Sequence, residues 1–319
     1  MSDPVFDRIA IIGAGLIGAS IARAARAASA AQTIVLYDKD PDVRQRAGEL
    51  DLGVIAGTPV DAVANADAIF LSVPVGAMGV ATEGISEGMK RAAILTDVGS
   101  VKGSARRAMA ASCPDHAFLI PGHPIAGTEQ SGPDAGFASL FEGRWHILTP
   151  EPNQSAAYDE AVSRLSTFWE RLGANVEIMD AARHDQVLAI TSHLPHLIAY
   201  NIVSTAFDME SVDEGEVVKY CAGGFRDFTR IAASDPIMWR DVFLNNKDAV
   251  LETLGRFTED LTALQKAIRH GDGDMLFREF ERARGIRKAI LDAGQDTDDV
   301  NFGRNADPEP AETVTKAAE

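Results

Sequence analysis

The chain has 319 residues, a hydrophobic fraction of 46% and a formal net charge of −17 at pH 7. This length suits two domains with a sizeable core, and the negative charge argues against a nucleic-acid partner, whose phosphates need a basic surface. Two cysteines, Cys113 and Cys221, exclude a disulfide framework and suit a reducing cytoplasm. Because residues 1–7 are polar and the apolar runs are short, we expect neither a cleavable signal nor a membrane-spanning segment.

The first elements predict a dinucleotide-binding domain. Arg8–Ile12 is typical of a short buried strand, the alanine-rich run Ala19–Ala28 suits a helix, and Thr33–Tyr37 suits a second strand. The first strand and the helix are joined by a G-x-G-x-x-G fingerprint, Gly13-Ala14-Gly15-Leu16-Ile17-Gly18. Its glycines permit a tight turn, a close approach of the backbone to a pyrophosphate and close helix–strand packing, while the helix N-terminus attracts phosphates. We therefore expect this segment to bind the cofactor, through Gly13, Gly15, Leu16, Ile17 and Gly18. The alternative is an α/β domain whose turn merely needs glycine.

The acidic residue that closes the second strand indicates which dinucleotide is bound. Asp38 stands twenty residues after Gly18, where its carboxylate can accept hydrogen bonds from the ribose hydroxyls. A 2′-phosphate at that place would meet a like charge, so the sequence favours NAD over NADP. Lys39 and Arg44 lie nearby and keep NADP as the second choice.

Alternation of strands and helices continues along the chain and predicts a parallel sheet with right-handed crossovers. Further strands are expected at Ala68–Val73, Ala93–Asp97, Ala117–Ile120, Trp145–Thr149 and Asn175–Met179, with a helix near Ser155–Leu172. Ligands of such sheets lie beyond the carboxyl ends of the strands. Ser72, Pro74, Ser100 and His123 follow such ends, so we expect them to meet at one edge. Ser72, Pro74 and Gly99 are assigned to the cofactor side of that edge.

One loop carries a strong signal for chemistry. The segment from Gly122 to Gly132 (GHPIAGTEQSG) holds one histidine, one carboxylate and two hydroxyls among glycines and a proline. Glycine and proline constrain the backbone, and an imidazole titrates near neutral pH. This combination suggests that the His123 side chain is held in place for catalysis.

From about residue 181 helical spacing dominates. Helices are predicted over Ala182–Phe207, Asp235–Arg269 and Gly273–Ala293. We therefore divide the chain into residues 1–180, a helical part over residues 181–302, and an acidic tail over residues 303–319 that is expected to be disordered. The helical part has enough apolar surface to be completed by a second copy, which predicts a homodimer.

Several motifs together resemble the prephenate/arogenate (cyclohexadienyl) dehydrogenases of tyrosine biosynthesis. Besides the fingerprint and the histidine loop they are Asp97-Val98-Gly99-Ser100-Val101-Lys102, Thr191-Ser192-His193-Leu194-Pro195-His196, Gly223-Gly224-Phe225-Arg226-Asp227-Phe228-Thr229-Arg230 and Ser234-Asp235-Pro236. The likeness covers about residues 6–290. It implies an α/β fold with an N-terminal Rossmann-type domain and an all-helical dimerisation domain. The implied reaction is the NAD(P)-dependent oxidative decarboxylation of prephenate to 4-hydroxyphenylpyruvate, or of arogenate to tyrosine.

The resemblance also implies roles for individual side chains. His123 would accept the proton or hydrogen bond of the ring hydroxyl, with Ser100 orienting it, and Arg230 would grip a substrate carboxylate. The remaining substrate-binding assignments are Ser192, His193, His196, Thr128, Glu129 and Trp239. We expect Glu129 to pair with Arg230 and to gate the pocket, and Trp239 either to reach a partner subunit's site or to be a core or interface aromatic.

These residues also have other interpretations. His123 could be structural, Ser100 could be a helix N-cap, and Lys102 could be surface charge only. Arg226 is expected to form an ion pair with Asp227 or Asp235. A metal site on His193 and His196, with His184 or Asp185 as further ligands, is possible by spacing, but the dehydrogenase interpretation needs no metal.

Alternatives also remain for the function as a whole. Prephenate carries a second anion where arogenate carries an ammonium, and His196 could serve either according to its protonation. An NADP-dependent, arogenate-specific enzyme, a β-hydroxyacid or imine-type reductase and a non-catalytic NAD-binding protein are the other candidates. The reductases would use a lysine in the helical half, where this chain has histidines and arginines around the motifs.

Overall fold

The computed structural model describes residues 3–208 and 219–292. Its main sheet contains six parallel strands in the order β3-β2-β1-β4-β5-β6. These strands are β1 (Phe6–Ile12), β2 (Ala31–Tyr37), β3 (Val54–Ile55), β4 (Ala68–Leu71), β5 (Ile94–Asp97) and β6 (Phe118–Leu119). The strand order reverses between β1 and β4, and this switch point is where doubly wound sheets bind dinucleotides.

Five helices connect these strands, and a sixth packs on the sheet. They are α1 (Leu16–Ala27), α2 (Pro41–Glu49), α3 (Pro59–Val63), α4 (Met78–Ile85), α5 (Gly103–Ala110) and α6 (Ala156–Arg171). Every residue of β4 is buried, and its side chains alternate between two apolar clusters, with Phe70 in one and Ile69 and Leu71 in the other. The Phe70 ring packs on Phe168 of α6 with centroids 5.0 Å apart. Burial on both faces explains why this strand is an unbroken apolar run.

A second sheet was not expected from the alternation of elements. It has three strands in the order β7-β8-β9, namely β7 (Gly122–Pro124), β8 (Trp145–Leu148) and β9 (Asn175–Ile178). β7 pairs antiparallel with β8, while β8 and β9 are parallel. His123 is therefore part of a short strand, paired with Ile147, and the prediction that it lies in a loop is wrong. A Gly-His-Pro segment has no strand signal of its own, so only pairing with β8 makes it a strand.

The first helical run after β9 confirms the expected helix over Ala182–Phe207 but contains an irregular turn. It consists of α7 (Ala181–Leu188), a π-helical turn over Ala189–His193, and α8 (Leu194–Asp208). In the π turn the Leu194 amide donates to the Ala189 carbonyl, five residues back. Pro195 has no amide hydrogen and crowds the carbonyl four residues before it, which favours a widened turn at this point.

The run Ala181–Asp208 is also long and apolar enough to cross a membrane, by length and composition alone. The expectation that the apolar runs are too short therefore does not hold for this segment. A single helix of this kind is weak evidence for a membrane span, since core helices of water-soluble proteins have the same composition.

The later helices differ from expectation at one point. They comprise Gly223–Thr229, Pro236–Asn245, Lys247–His270 and Gly273–Asp292. The single helix expected over Asp235–Arg269 is interrupted at Asn246, whose buried side chain bonds to neighbouring elements.

The described residues separate into two compact units, with the division between Leu254 and Gly255. The second unit exposes several large apolar side chains on its helices, namely Leu261, Ile268, Phe277, Phe280 and Ile286. The predicted tail over residues 303–319 lies outside the described residues.

Candidate active site

The glycine turn after β1 has the geometry that a dinucleotide needs. Gly13 has φ +100°, and a Cβ added to it would lie 2.3 Å from the Ser72 carbonyl oxygen. A Cβ added to Gly18 would lie 2.0 Å from the Gly13 carbonyl oxygen, so the start of α1 can approach β1 only with glycine there. In front of Gly15, by contrast, none of the described residues beyond its chain neighbours and its own helix lies within 4 Å of such a Cβ. Open space before free amide groups at a helix N-terminus, with no acidic residue in the first turn, fits a pyrophosphate.

Asp38 is held beside this turn at the end of β2. Its carboxylate accepts hydrogen bonds from the backbone amides of Ala14, at 2.9 Å, and of Asp40, at 3.0 Å. Arg44 donates to the Asp38 carbonyl oxygen at 2.6 Å, and its guanidinium lies 5.3 Å from the centre of the Tyr37 ring. The carboxylate is thus fixed next to the phosphate-binding turn, and an arginine lies next to it.

The other residues assigned to the cofactor follow the same edge of the sheet. Leu16 and Ile17 form the half-buried first turn of α1, Ser72 and Pro74 follow β4, and Gly99 follows β5. The Ser72 hydroxyl is buried and lacks a hydrogen-bond partner within the described chain. The Gly99 amide donates to Asp97 at 2.9 Å.

Lys102 is completely buried, so the interpretation of it as surface charge is wrong. Its ammonium donates to the Asp97 carboxylate at the end of β5 and to the Gly122 carbonyl oxygen, the latter at 2.5 Å. Burial lowers the pKa of Lys102, while the charge of Asp97 and the hydrogen bond to it act in the opposite direction. The pair ties β5 to β7 and thereby fixes the residue before His123.

His123 begins a buried chain of hydrogen bonds. Its Nδ1 lies 2.9 Å from Nε2 of His184, and His184 Nδ1 lies 2.9 Å from Asp185 Oδ1. Asp185 also accepts the backbone amides of Lys102, at 2.7 Å, and of Gly103, at 2.8 Å.

The pKa values of these groups describe a neutral base backed by an anion. Burial, followed by the neighbouring His184 and Lys102, lowers the pKa of His123 well below its ordinary value. Burial also lowers the pKa of His184, although its hydrogen bond to Asp185 opposes this. Burial acts to raise the pKa of Asp185, but the hydrogen bonds from His184 and two backbone amides outweigh it and leave the pKa lowered. At neutral pH Asp185 is therefore ionised and both histidines are uncharged.

A second set of hydrogen bonds leads from Asp185 through Asn246 to His193. The Asn246 amide group donates to the Asp185 carbonyl oxygen at 2.8 Å and lies 3.1 Å from His193 Nδ1. Burial lowers the pKa of His193 to about 4, and the Ser100 backbone lies close enough to His193 to oppose that shift. An uncharged His193 that accepts at Nδ1 carries its proton on Nε2.

Ser100 is therefore placed by its backbone beside His193. No hydrogen bond joins its hydroxyl to His123 within residues 3–208 and 219–292, and the N-cap of α5 is Lys102 rather than Ser100. The role of Ser100 in orienting His123 remains a prediction.

The far side of the site contains a charged pair and an aromatic stack. Arg230 donates to Glu129 at 3.0 Å, which confirms their predicted pairing. His196 stacks on Trp239 with ring centres 3.7 Å apart, and its Nδ1 bonds to the Ser192 carbonyl oxygen at 2.8 Å. Burial lowers the pKa of His196, and the charge of Arg230 lowers it further.

The remaining predictions for this side have mixed outcomes. Trp239 is buried in its own chain, as the core interpretation predicts, and its reach into a partner subunit's site remains a prediction. Arg226 lies 3.6 Å from Asp227, which confirms that predicted ion pair. Thr128 is exposed, and its hydroxyl accepts the Gln130 amide at 3.2 Å. Within the described ranges no group of three potential metal ligands is present.

Comparison with known proteins decides the family. The nucleotide-binding domain of prephenate dehydrogenase matches residues 21–178, and the dimerization domain of prephenate dehydrogenase matches residues 180–282. The cyclohexadienyl dehydrogenase of Zymomonas mobilis is 43% identical over 287 residues, which cover 90% of this chain and 97% of that protein. The chain belongs to the prephenate dehydrogenase family.

Other members support the same assignment. The prephenate dehydrogenase of Bacillus subtilis is 32% identical over 288 residues, covering 89% of this chain and 76% of that protein. The crystal structure of the Aquifex aeolicus prephenate dehydrogenase in complex with hydroxyphenyl propionate and NAD+ matches with a TM-score of 0.81 and 33% identity, over 91% of this chain and 99% of that one.

Sequence reasoning about this prephenate dehydrogenase family member missed part of the site. His184 and Asp185 were considered only as further ligands of a metal site, and Asn246 lay inside an uninterrupted predicted helix. A histidine followed by an aspartate on a helix that begins next to the dinucleotide domain is a weak signal, and only the fold brings His184 to His123. The arrangement provides a neutral imidazole with one nitrogen engaged and the other, Nε2, without a hydrogen bond from any described residue.

Proposed function

We propose that this chain catalyses the NAD+-dependent oxidative decarboxylation of prephenate to 4-hydroxyphenylpyruvate in tyrosine biosynthesis. The observation that carries the proposal is the uncharged His123, with one ring nitrogen bound to His184. Family membership and the open glycine turn at the switch point of the sheet support it. Two features of the structure thus meet the needs of the reaction, namely a base and a place for a dinucleotide.

His123 has the properties of the base that oxidation of the ring carbinol requires. Bound NAD+ would take a hydride from the ring carbon that bears the hydroxyl. The hydroxyl proton then becomes acidic, and an uncharged imidazole can accept that proton or a hydrogen bond from the hydroxyl. General base catalysis of this kind typically raises the reaction rate about 10²–10⁴-fold. The electron pair of the bond to the ring carboxylate moves into the ring as CO₂ leaves, and the product keeps a phenolic hydroxyl. The overall reaction therefore releases no net proton, and His123 returns the proton that it takes.

Arg230 is proposed to bind a substrate carboxylate. Its planar guanidinium suits a two-point contact with a carboxylate, and in the free protein it already holds the carboxylate of Glu129. A substrate carboxylate would take the place of Glu129 on the guanidinium. This exchange is how Glu129 would control entry to the site.

The cofactor preference is proposed to be NAD+ over NADP+. The fixed Asp38 carboxylate can accept from a ribose hydroxyl but repels a 2′-phosphate. Arg44 is engaged with backbone carbonyls of Asp38 and Lys39, and it would have to leave them to bind a phosphate.

Arogenate is a second candidate substrate, and one observation favours it. An uncharged His196 whose Nδ1–H donates to the Ser192 carbonyl leaves Nε2 as an acceptor. An acceptor suits the ammonium group of arogenate, whereas the keto group of prephenate needs a donor. We therefore infer that the chain accepts arogenate in addition to prephenate.

The assembly and location are proposed as a cytoplasmic homodimer. The match of residues 180–282 to a dimerization domain supports the dimer. Both cysteines are free and half-buried, which suits a reducing compartment.

Steady-state kinetics of the purified protein test this function. Rates would be measured side by side with prephenate and arogenate, each with NAD+ and NADP+. We expect NADH and 4-hydroxyphenylpyruvate from prephenate with NAD+, and no turnover with either substrate would refute the proposal. His123→Asn should nearly abolish turnover while NAD+ still binds. Arg230→Gln should raise KM more than it lowers kcat, because a carboxylate contact is made in ground and transition states alike.

A further inference from the structure

The hydrogen-bonded chain behind His123 ends at a group that can only accept. Asp185 is ionised, and its oxygens receive two backbone amides and Nδ1 of His184. A carboxylate has no proton to give, so His184 must carry its proton on Nδ1. Being uncharged, His184 then has a lone pair on Nε2, at 2.9 Å from His123 Nδ1.

The same argument sets the proton on His123. Nδ1 of His123 faces a lone pair, so it must be the donor, and Nε2 is left as the acceptor. We propose that His184 and Asp185 are positioning residues that hold His123 in the tautomer with a free Nε2 lone pair. The proposal rests on the function given above, in which His123 accepts from the substrate hydroxyl.

The chemistry of the proposed reaction requires such control. An imidazole with its proton on Nε2 would donate to the substrate hydroxyl and could not take its proton. A histidine held in the wrong tautomer loses most of its catalytic effect, about 10⁴-fold in the serine proteases. The hydrogen-bonded residues also stabilise the charged transition state, because Asp185 attracts the positive charge that His123 gains with the proton.

Burial of these hydrogen-bonded side chains strengthens their control of the His123 tautomer. His184 is fully buried and His123 is nearly so, so water does not compete for the hydrogen bond between them. Asp185 is itself held by the amides of Lys102 and Gly103, at the N-terminal end of α5. A rigid helix end therefore fixes the carboxylate, which orients His184, which in turn orients His123.

Three variants separate this role from a merely structural one. His184→Leu removes the acceptor for His123 Nδ1, whereas His184→Gln keeps an oxygen that can accept it. The control is His116→Leu, which makes the same chemical change at an exposed histidine whose ring bonds to the Met89 carbonyl oxygen. Kinetics with prephenate and NAD+ would be combined with ¹H–¹⁵N correlation spectra of the histidine rings, assigned with His123→Asn. The spectra report the tautomer of His123 without any turnover.

We expect the wild-type spectrum to show His123 protonated on Nδ1 only. His184→Leu should move that proton to Nε2 and lower kcat by at least about 100-fold, with KM and NAD+ binding little changed. His184→Gln should keep the tautomer and stay within about tenfold of the wild-type kcat, and His116→Leu should match the wild type.

A wild-type His123 with its proton on Nε2 would overturn the proposal, even if His184→Leu failed to fold. Equal losses of kcat in His184→Leu and His184→Gln, with the tautomer unchanged in both, would also overturn it. An inactive wild type with the expected tautomer would count against the proposed function and in favour of the positioning role.

Discussion

Replacing Lys102 by methionine should destabilise the fold by about 3–5 kcal/mol, the usual effect of breaking a buried ion pair on one side. Methionine keeps much of the length of the side chain but removes both contacts of the ammonium group. Asp97 would keep the amides of Gly99, at 2.9 Å, and Gly122, at 3.2 Å, yet its charge would stay buried without a cation. The Gly122 carbonyl would lose its donor as well.

Urea unfolding followed by circular dichroism measures this loss. The control is Lys90→Met, because Lys90 pairs with Asp67 at 2.6 Å but is 39% exposed, so we expect a loss of about 0–1 kcal/mol there. The double variant Lys102→Met/Asp97→Asn should lose less than the sum of its single variants, since no unpaired charge remains. If Lys102→Met were no less stable than Lys90→Met, the reasoning about a buried charged pair would be refuted.

Two further outcomes follow from the same structure. His123, His146, His184 and His193 all have pKa values lowered by burial, so below about pH 6.5 the unfolded chain binds protons that the folded chain does not. The free energy of unfolding should therefore fall between pH 6.5 and about pH 4, by about 3 kcal/mol from His193 alone, and should be level for these groups above pH 7. Urea titrations at a series of pH values check this, and His193→Gln should flatten the slope; an unchanged slope would contradict it. Asp38→Ala should raise KM for NAD+ about 10–100-fold and leave KM for prephenate unchanged, because a charge-assisted hydrogen bond is worth about 1.5–3 kcal/mol. Initial rates at varied NAD+ measure this, and an unaltered KM would remove Asp38 from cofactor binding.

The dinucleotide half of this protein could be predicted because its signals are local. The strands β1, β2, β4 and β5 each contain a short apolar run that is followed within three residues by a glycine, a proline or an acidic residue. The glycine turn and Asp38 have fixed spacings along the chain, so one stretch of sequence specifies their geometry. The strand containing His123 could not be predicted in this way, because its pairing partner lies more than twenty residues later.

The catalytic surroundings were harder to predict because their contacts span long sequence separations. Lys102 has the composition of a surface residue, and only the fold brings Asp97 and the Gly122 carbonyl around its ammonium. Arg230 and Glu129 are 101 residues apart, and their pairing was expected through the family resemblance alone. His184 lies 61 residues from His123, and nothing in the local pattern of α7 points to that contact.

The π-helical turn over Ala189–His193 has a consequence for how this enzyme can vary. A π turn contains one residue more than the α-helical turn that it replaces. Deleting one residue there would restore a regular helix but rotate α7 by about 100° relative to α8. His184 would then point away from His123 while His193 and His196 kept their places. A change in the length of this turn would therefore separate His184 from His193 and His196.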